Sequence, residues 1–459
     1  MPVVPDFRNT HCGTIAIMSS PNTQIISSLR FLQRQAASLL LYQGTLTGPT
    51  GIAFLSLLQS LHHSDAGGTD CSHAYGSWFQ SLAAKNLSWQ DYLINRILLD
   101  TNPFTLKAQQ AEFASLPPAL IAAAKHDLQV LQSLYQCGGE QLSRWVQTAS
   151  QLPVAPPVWD CPQNGAADQQ SLPIITSLQK ESNWADTLEE LAAHYRQYGT
   201  GLFAEYRALR WQSGQLTGIE HPDPVRIADL AGCEFQRDTL VKNTEFLLAG
   251  LPALHVLLYG SRGSGKSSLV KALLNDFGKR GLRLLEVAKS DLKDLPAIVD
   301  QLRGVPQKFI IFVDDLSFEE DDDAFKALKV VLEGSLTARP ANVAVYATSN
   351  RRHLIREFFD DRPRPSAGEE VHAWDTVQEK LSFSDRFGLT LTFDPANQDT
   401  YIQIVRHLAE RAGISLSAEE LQFRALQWAT RHNGRSGRTA RQFVDFLRGE
   451  LAMAGQHKK

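Results

Sequence analysis

The chain has 459 residues, of which 43% are hydrophobic and 20% charged, and its formal net charge is −4. That length exceeds what one core serves and calls for several domains, and the charge balance excludes a surface coated for nucleic acid. Five scattered cysteines without a CxxC pair exclude a disulfide scaffold. No apolar run reaches the roughly 20 residues a bilayer span needs, and the N-terminus has no basic flank leading into an apolar core. A cytoplasmic protein without a membrane contact is expected.

In chain order, residues 1–22 read as a flexible lead-in and 23–150 as an all-helical domain. Ile25, Leu29, Leu32, Ala36 and Leu40 recur at three- and four-residue steps, and "PPALIAAAKHDLQVLQSLYQ" opens with prolines suited to a helix start. Residues 151–180, "QLPVAPPVWDCPQNGAADQQSLP" onward, form a Pro-rich linker, and 181–216 a connecting helix. From 217 to 395 short apolar strands alternate with amphipathic helices. The strand candidates are 255–260, 283–288, 309–315, 343–350 and 389–393, and this alternation predicts a parallel α/β sheet. Residues 396–455 hold three helical stretches behind it.

The first strand runs into "GSRGSGKSS", in which Gly260, Gly265, Lys266 and Ser267 match G-x-x-x-x-G-K-[ST]. Glycines turn backbone N–H groups inward around phosphate oxygens, and the following helix presents its positive end. Gly260, Ser261, Arg262, Gly263, Ser264, Gly265, Lys266, Ser267 and Ser268 are therefore the expected phosphate cradle. In it Lys266 reaches the terminal phosphates and Ser267 completes a Mg²⁺ shell. Such a site needs a buried strand that ends in a carboxylate, and "KFIIFVDDLSFEEDD" supplies one. Asp314 is the expected Mg²⁺-side residue. Asp315, or alternatively Glu319, would orient the attacking water, although Asp is one methylene shorter than the usual Glu. "VAVYATSN" ends another strand in Thr348, Ser349 and Asn350, where Asn350 can reach the γ-phosphate or the water. Arg386 directly precedes the last strand, and Arg435, Arg438 and Arg441 surround the start of the last helix.

With these stretches in order, residues 217–455 resemble an AAA+ ATPase module. "GSRGSGKSSLVKALL", "DDLSFEEDD", "YATSNRRHL", "KLSFSDRFGL" and "GRSGRTARQF" resemble more closely a bacterial family known only as a domain of unknown function, related to the replication-initiator and helicase-loader branch. The resemblance implies a five-stranded sheet in the order 5-1-4-3-2 and a helical lid, with ATP and Mg²⁺ between them. It implies that Ile227, Leu230 and Gly232 cover the adenine and that Asn350 is sensor 1. Arg438, with Arg441 as the alternative, takes the place of sensor 2, and Arg386 that of an arginine finger facing a neighbouring subunit, hence a homo-oligomer.

The loop after the second strand lacks the aromatic–hydrophobic–glycine triplet of protein-threading rings. His62, His63, Cys71 and His73 match no common zinc spacing and are set aside. The expected activity is ATP hydrolysis coupled to assembly and to remodelling of a protein partner held by the N-terminal helical domain. A non-hydrolysing ATP-gated adaptor, a DNA-associated loader and a P-loop kinase are the alternatives. Nucleic acid contact stays a secondary candidate.

Overall fold

The computed structural model describes residues 21–63, 68–159, 173–317, 323–333, 340–350, 386–432 and 434–456. Residues 1–20, residues 160–172 of the linker, Glu319 and the insertion 351–385 lie outside the described residues. The chain divides into two compact units, one of Met1–Lys107 with Phe113–Ala192, the other of Ala108–Glu112 with Ala193–Lys459. Among the described residues no helix is long and apolar enough to cross a membrane.

The first unit is built from helices. Prolines open Pro49–His62 and Pro118–Gln136, where a missing N–H costs nothing. Ser88 caps Trp89–Leu99 by accepting from the Asp91 amide. The core is aromatic: Phe54 stacks on Trp89 at 4.1 Å, and Trp78 meets Trp89 edge-on at 6.1 Å. One charge is fully buried there. Asp127 accepts from the amides of Leu40, Leu41 and Tyr42 at 2.7–3.0 Å, which satisfies the carboxylate and fixes the turn after the first helix.

The second unit contains a sheet of seven strands: β1 (Ala208–Gln212), β2 (Gln215–Ile219), β3 (Val256–Gly260), β4 (Leu282–Glu286), β5 (Lys308–Val313), β6 (Val343–Ser349) and β7 (Leu389–Phe393). Their order is β2-β1-β4-β5-β6-β3-β7, and all pairings are parallel except β1 with β2. The expected five-stranded, wholly parallel sheet is thus corrected to a mixed sheet of seven with its own order. Within it, the five strands read from the sequence lie side by side as β7-β3-β6-β5-β4. Side chains alternate between two apolar layers. Phe309, Ile311 and Val313 enter one, while Ile310 and Phe312 enter the other. Both faces are covered, so β6 is buried along its whole length.

The two extra strands replace part of the expected connecting helix. Residues 181–216 hold the helix Leu188–Tyr198, the short helix Gly201–Glu205, and then β1 and the start of β2. The period there is two: Leu209 and Trp211 are buried while Arg210 and Gln212 are exposed. Ser213 and Gly214, at φ 53° and 78°, make a two-residue turn of the type that matches strand twist. The expected linker is also interrupted, because Pro173–Lys180 is a helix.

Beyond β7, the helices Gln398–Arg411, Ala418–Arg431 and Gly437–Gln456 enclose a small core of their own around Tyr401, Val405, Ala425 and Val444. Asn397 and Ser417 cap the first two.

Candidate nucleotide-binding site

β3 delivers the chain to a loop that only glycine can begin. Gly260 has φ +141°, and a Cβ there would run into the carbonyl of Phe393 on β7. The Ser261 amide donates to that same carbonyl at 3.1 Å, tying the loop to the sheet. Gly265, at φ +94°, then turns the loop into the helix Lys266–Phe277, whose Leu269, Leu273 and Phe277 are buried. The positive helix end is thereby aimed outward from the sheet, past Lys266 and Ser267.

Lys266 is 6% exposed. Its ammonium donates to Gly260 O at 2.9 Å, Ser261 O at 2.7 Å and Asn350 Oδ1 at 3.3 Å. Burial pulls its pKa down, and the nearby Asp314 and Asp315 carboxylates oppose the shift. At the end of β5, Asp314 Oδ1 accepts from Ser267 Oγ at 2.6 Å and from Thr348 Oγ1 at 2.5 Å. Asp315 has φ +52°, a left-handed backbone in a non-glycine residue. Its amide donates to Thr348 Oγ1 at 2.9 Å, and its Oδ1 accepts from Asn350 Nδ2 at 2.6 Å. Asn350 therefore bridges the lysine and the second carboxylate.

The lid helix Gly437–Gln456 begins against this loop. The Arg438 amide donates to Gly263 O at 3.2 Å, and a Cβ on Gly263 would lie 3.0 Å from Ser436 Oγ. On the other side Arg411 pairs with Asp229 at 2.6 Å, and His407 Nε2 meets Ala228 O at 2.8 Å. These contacts frame a cavity of about 700 Å³. Of the residues expected from the sequence, Leu230, Arg262 through Ser268, Asp314, Asp315, Asn350, Arg438 and Arg441 line it.

Others do not. Gly260 and Ser261 sit behind the loop as acceptors for Lys266. Ile227 packs against the apolar layer next to the sheet, with its amide on Asp276. Gly232 approaches Thr400 of the lid. Arg386 precedes β7 at its start, whereas Phe393 at its end pairs with Gly260, so Arg386 belongs to the opposite end of the strand.

Sequence reasoning missed Asp229, Ala231, Cys233, Ile404, Leu408 and Gly437, which also line the cavity. Ile404 and Leu408, one turn apart, carry the ordinary signature of a helix core, and only the fold reveals that they face the cavity. Thr348 was legible as one of three polar residues, without its link to the Asp314 carboxylate and the Asp315 amide.

The cations Lys266, Arg262, Arg438 and Arg441 outnumber the carboxylates Asp229, Asp314 and Asp315, and Asp229 is offset by Arg411. The cradle end of the cavity therefore suits a polyanion, and the end lined by Leu230, Ile404 and Leu408 suits an apolar ring. For a divalent cation, Ser267 Oγ and Asp314 Oδ1 form an adjacent pair of hard oxygen donors. That fits Mg²⁺, which keeps most of its shell for water and phosphate.

Residues 204–451, more than half of the chain, match the family described as "Protein of unknown function (DUF815)". The chain belongs to this family. The DUF815 match spans the whole sheet, from β1 to β7, and all but the end of the lid. Within it, β3, the glycine loop and the helix Lys266–Phe277 carry the G-x-x-x-x-G-K-[ST] pattern of a phosphate-binding loop. No curated protein matches the chain. Among solved structures it is similar to a mutant of RuvB from Thermotoga maritima, 16% identical with a TM-score of 0.36, over 50% of this chain and 68% of that one. It is also similar to the Thermotoga maritima RuvB Holliday junction branch migration motor, 15% identical with a TM-score of 0.29, over 49% and 72%.

Proposed function

We propose that this DUF815 chain is a cytoplasmic AAA+ ATPase that binds ATP with Mg²⁺, hydrolyses it, and uses the cycle to switch contacts in a homo-oligomer and remodel a protein partner. The observation that carries this reading is the convergence of Lys266, Ser267, Asp314, Asp315, Asn350 and Arg438 on one cavity between sheet and lid. Lys266 would exchange the two loop carbonyls for β- and γ-phosphate oxygens. Ser267 and Asp314 would hold Mg²⁺, which supplies charge neutralisation at the phosphates. Asp315 would orient the attacking water, Asn350 and Arg438 would contact the γ-phosphate, and Leu230 would cover the base. Arg386, remote from its own cradle, would act on the γ-phosphate of a neighbouring copy. Catalysis of this kind is positioning plus electrostatics, so single losses slow turnover more than they weaken binding.

A second reading draws support from one contact. The Asp315 carboxylate is engaged by Asn350 and is one methylene short, as expected of a latch that binds ATP without splitting it.

Steady-state hydrolysis measured against protein concentration tests both. On the ATPase reading, specific activity climbs with concentration and Lys266→Ala abolishes it. Arg386→Ala lowers it by about 10³-fold or more, on the scale of trans arginines, while nucleotide binding survives. Activity that is flat with concentration and indifferent to Arg386 removes the trans role. Tight binding with no turnover at any concentration favours the latch.

A further inference from the structure

The second half of the chain accounts for the nucleotide; the helical unit holds a feature that the nucleotide does not explain. After the helix Gly139–Ala149, the sequence "LPVAPPVW", residues 152–159, doubles back along that helix without regular secondary structure. Three prolines fix φ near −65° and push the residues before them to extended conformations, so this stretch favours a polyproline-II path.

The surface beneath it is matched to such a path. Gln147, Ser143 and Gly139 stand at four-residue steps and so share one helix face. Gln147 N⋯O contacts reach Leu152 and Pro153, and the Leu152 amide donates to Gln147 O at 3.1 Å. One turn back, Ser143 Oγ donates to Pro156 O at 2.5 Å. From the neighbouring helix Thr69–Lys85, Tyr75 Oη donates to Pro157 O at 2.9 Å. One more turn back, a Cβ on Gly139 would lie 2.6 Å from Val158 Cγ1, so a glycine lets the segment pass. Trp159 then meets Phe79 edge-on at 5.7 Å. Hydroxyl donors on successive prolyl carbonyls, flanked by aromatic rings, are the chemistry by which proline-rich ligands are read.

The segment fills only part of this groove. Beside Val158 and Trp159 a cavity of about 710 Å³ remains, walled by Trp78, Trp89 and Trp145 and edged by glutamine amides. Among the described residues that line it, the charged ones are Glu140 and Arg144, which pair with each other at 3.0 Å. A phosphate or nucleic acid finds no net charge there; an uncharged extended peptide finds aromatic walls and amides for its backbone.

We infer that the helical unit reads proline-rich extended segments of another protein, and that Leu152–Trp159 occupies the groove as a built-in ligand which such a partner displaces. A tethered segment competes at an effective concentration of order mM, so binding in trans is weak until the segment is loosened. The inference is independent of nucleotide hydrolysis.

The test uses the full-length chain and a capped synthetic peptide of the segment's own sequence, LPVAPPVW, with LGVAGGVW as control, followed by calorimetry. Pro156→Ala with Pro157→Ala keeps every carbonyl but loses the preset path. That variant is expected to bind LPVAPPVW with an apparent Kd at least tenfold lower than the parent chain, and the glycine control at least tenfold more weakly. Adding Ser143→Ala should raise Kd by roughly 2- to 10-fold, the effect of one hydrogen bond. If the double variant does not fold by circular dichroism, Pro157→Ala alone serves with a smaller gain. A folded variant that binds neither peptide at 1 mM (on the order of the tethered concentration), or both equally, overturns the inference. So does a parent chain that elutes as a dimer and a loosened variant that elutes as a monomer, because the segment would then be exchanged between copies.

Discussion

One hydroxyl, that of Thr348, donates to Asp314 and accepts from the amide of Asp315, and its side chain is 2% exposed. Hydrogen bonds to charged groups are worth about 1.5–3 kcal/mol, so Thr348→Val, which keeps the shape, should slow turnover by roughly tenfold or more. A fluorescent nucleotide analogue should show affinity changed by less than about threefold, since the cradle itself is untouched. Asp315→Asn should cost at least about 10²-fold in turnover with binding retained, and no loss at all would mean that Asp315 does not orient the water. Lys266, Ser267 and Asp314 were legible because phosphate and metal chemistry fixes their types and spacing. Thr348 was legible only as a polar residue at a strand end, because its link to Asp314 and Asp315 forms only where β5 and β6 end side by side. Leu230, of the three residues expected over the base, is the one that lines the cavity, with Ile404 and Leu408 facing it from the lid.

At the scale of elements, the turn between β1 and β2 offers the cleanest measurement. Both turn residues have positive φ, and nothing lies within 4 Å of a Cβ on Gly214. Gly214→Ala should therefore destabilise by about 1 kcal/mol through conformation alone. Ser213→Asn, which makes the turn Asn-Gly, should stabilise by a few tenths of a kcal/mol, on the order of other turn-chemistry gains. Urea unfolding of the two variants side by side checks both signs. This hairpin escaped the sequence reading because the helix before it has strong 3.6-residue periodicity, and β1 is too short to announce a change of period. The Ser-Gly pair was the available signal. The core strands were plain because β5 and β6 are nearly continuous apolar runs, as burial on both faces demands. The lid was legible as three amphipathic stretches, but which residues it turns toward the cradle depends on the Arg438–Gly263 contact at its start.

At the scale of the molecule, the second unit takes in Ala108–Glu112, a piece from the middle of the first half of the chain. Within that unit the buried Gln109 donates to the buried Thr200 hydroxyl at 2.9 Å, and Glu112 pairs with Arg196. A fragment that starts at Ala193 lacks both contacts. It should melt below the full-length chain by the equivalent of about 1–3 kcal/mol, while its nucleotide affinity stays within about threefold. Scanning calorimetry with and without nucleotide separates the two effects. The chain passes between units at three places, Lys107–Ala108, Glu112–Phe113 and Ala192–Ala193. A recombination event that exchanged everything before Ala193 would carry Ala108–Glu112 away with it and leave the second unit short of its own piece. A chimaera with a foreign front end therefore starts about 1–3 kcal/mol less stable unless that newcomer supplies a substitute for Gln109.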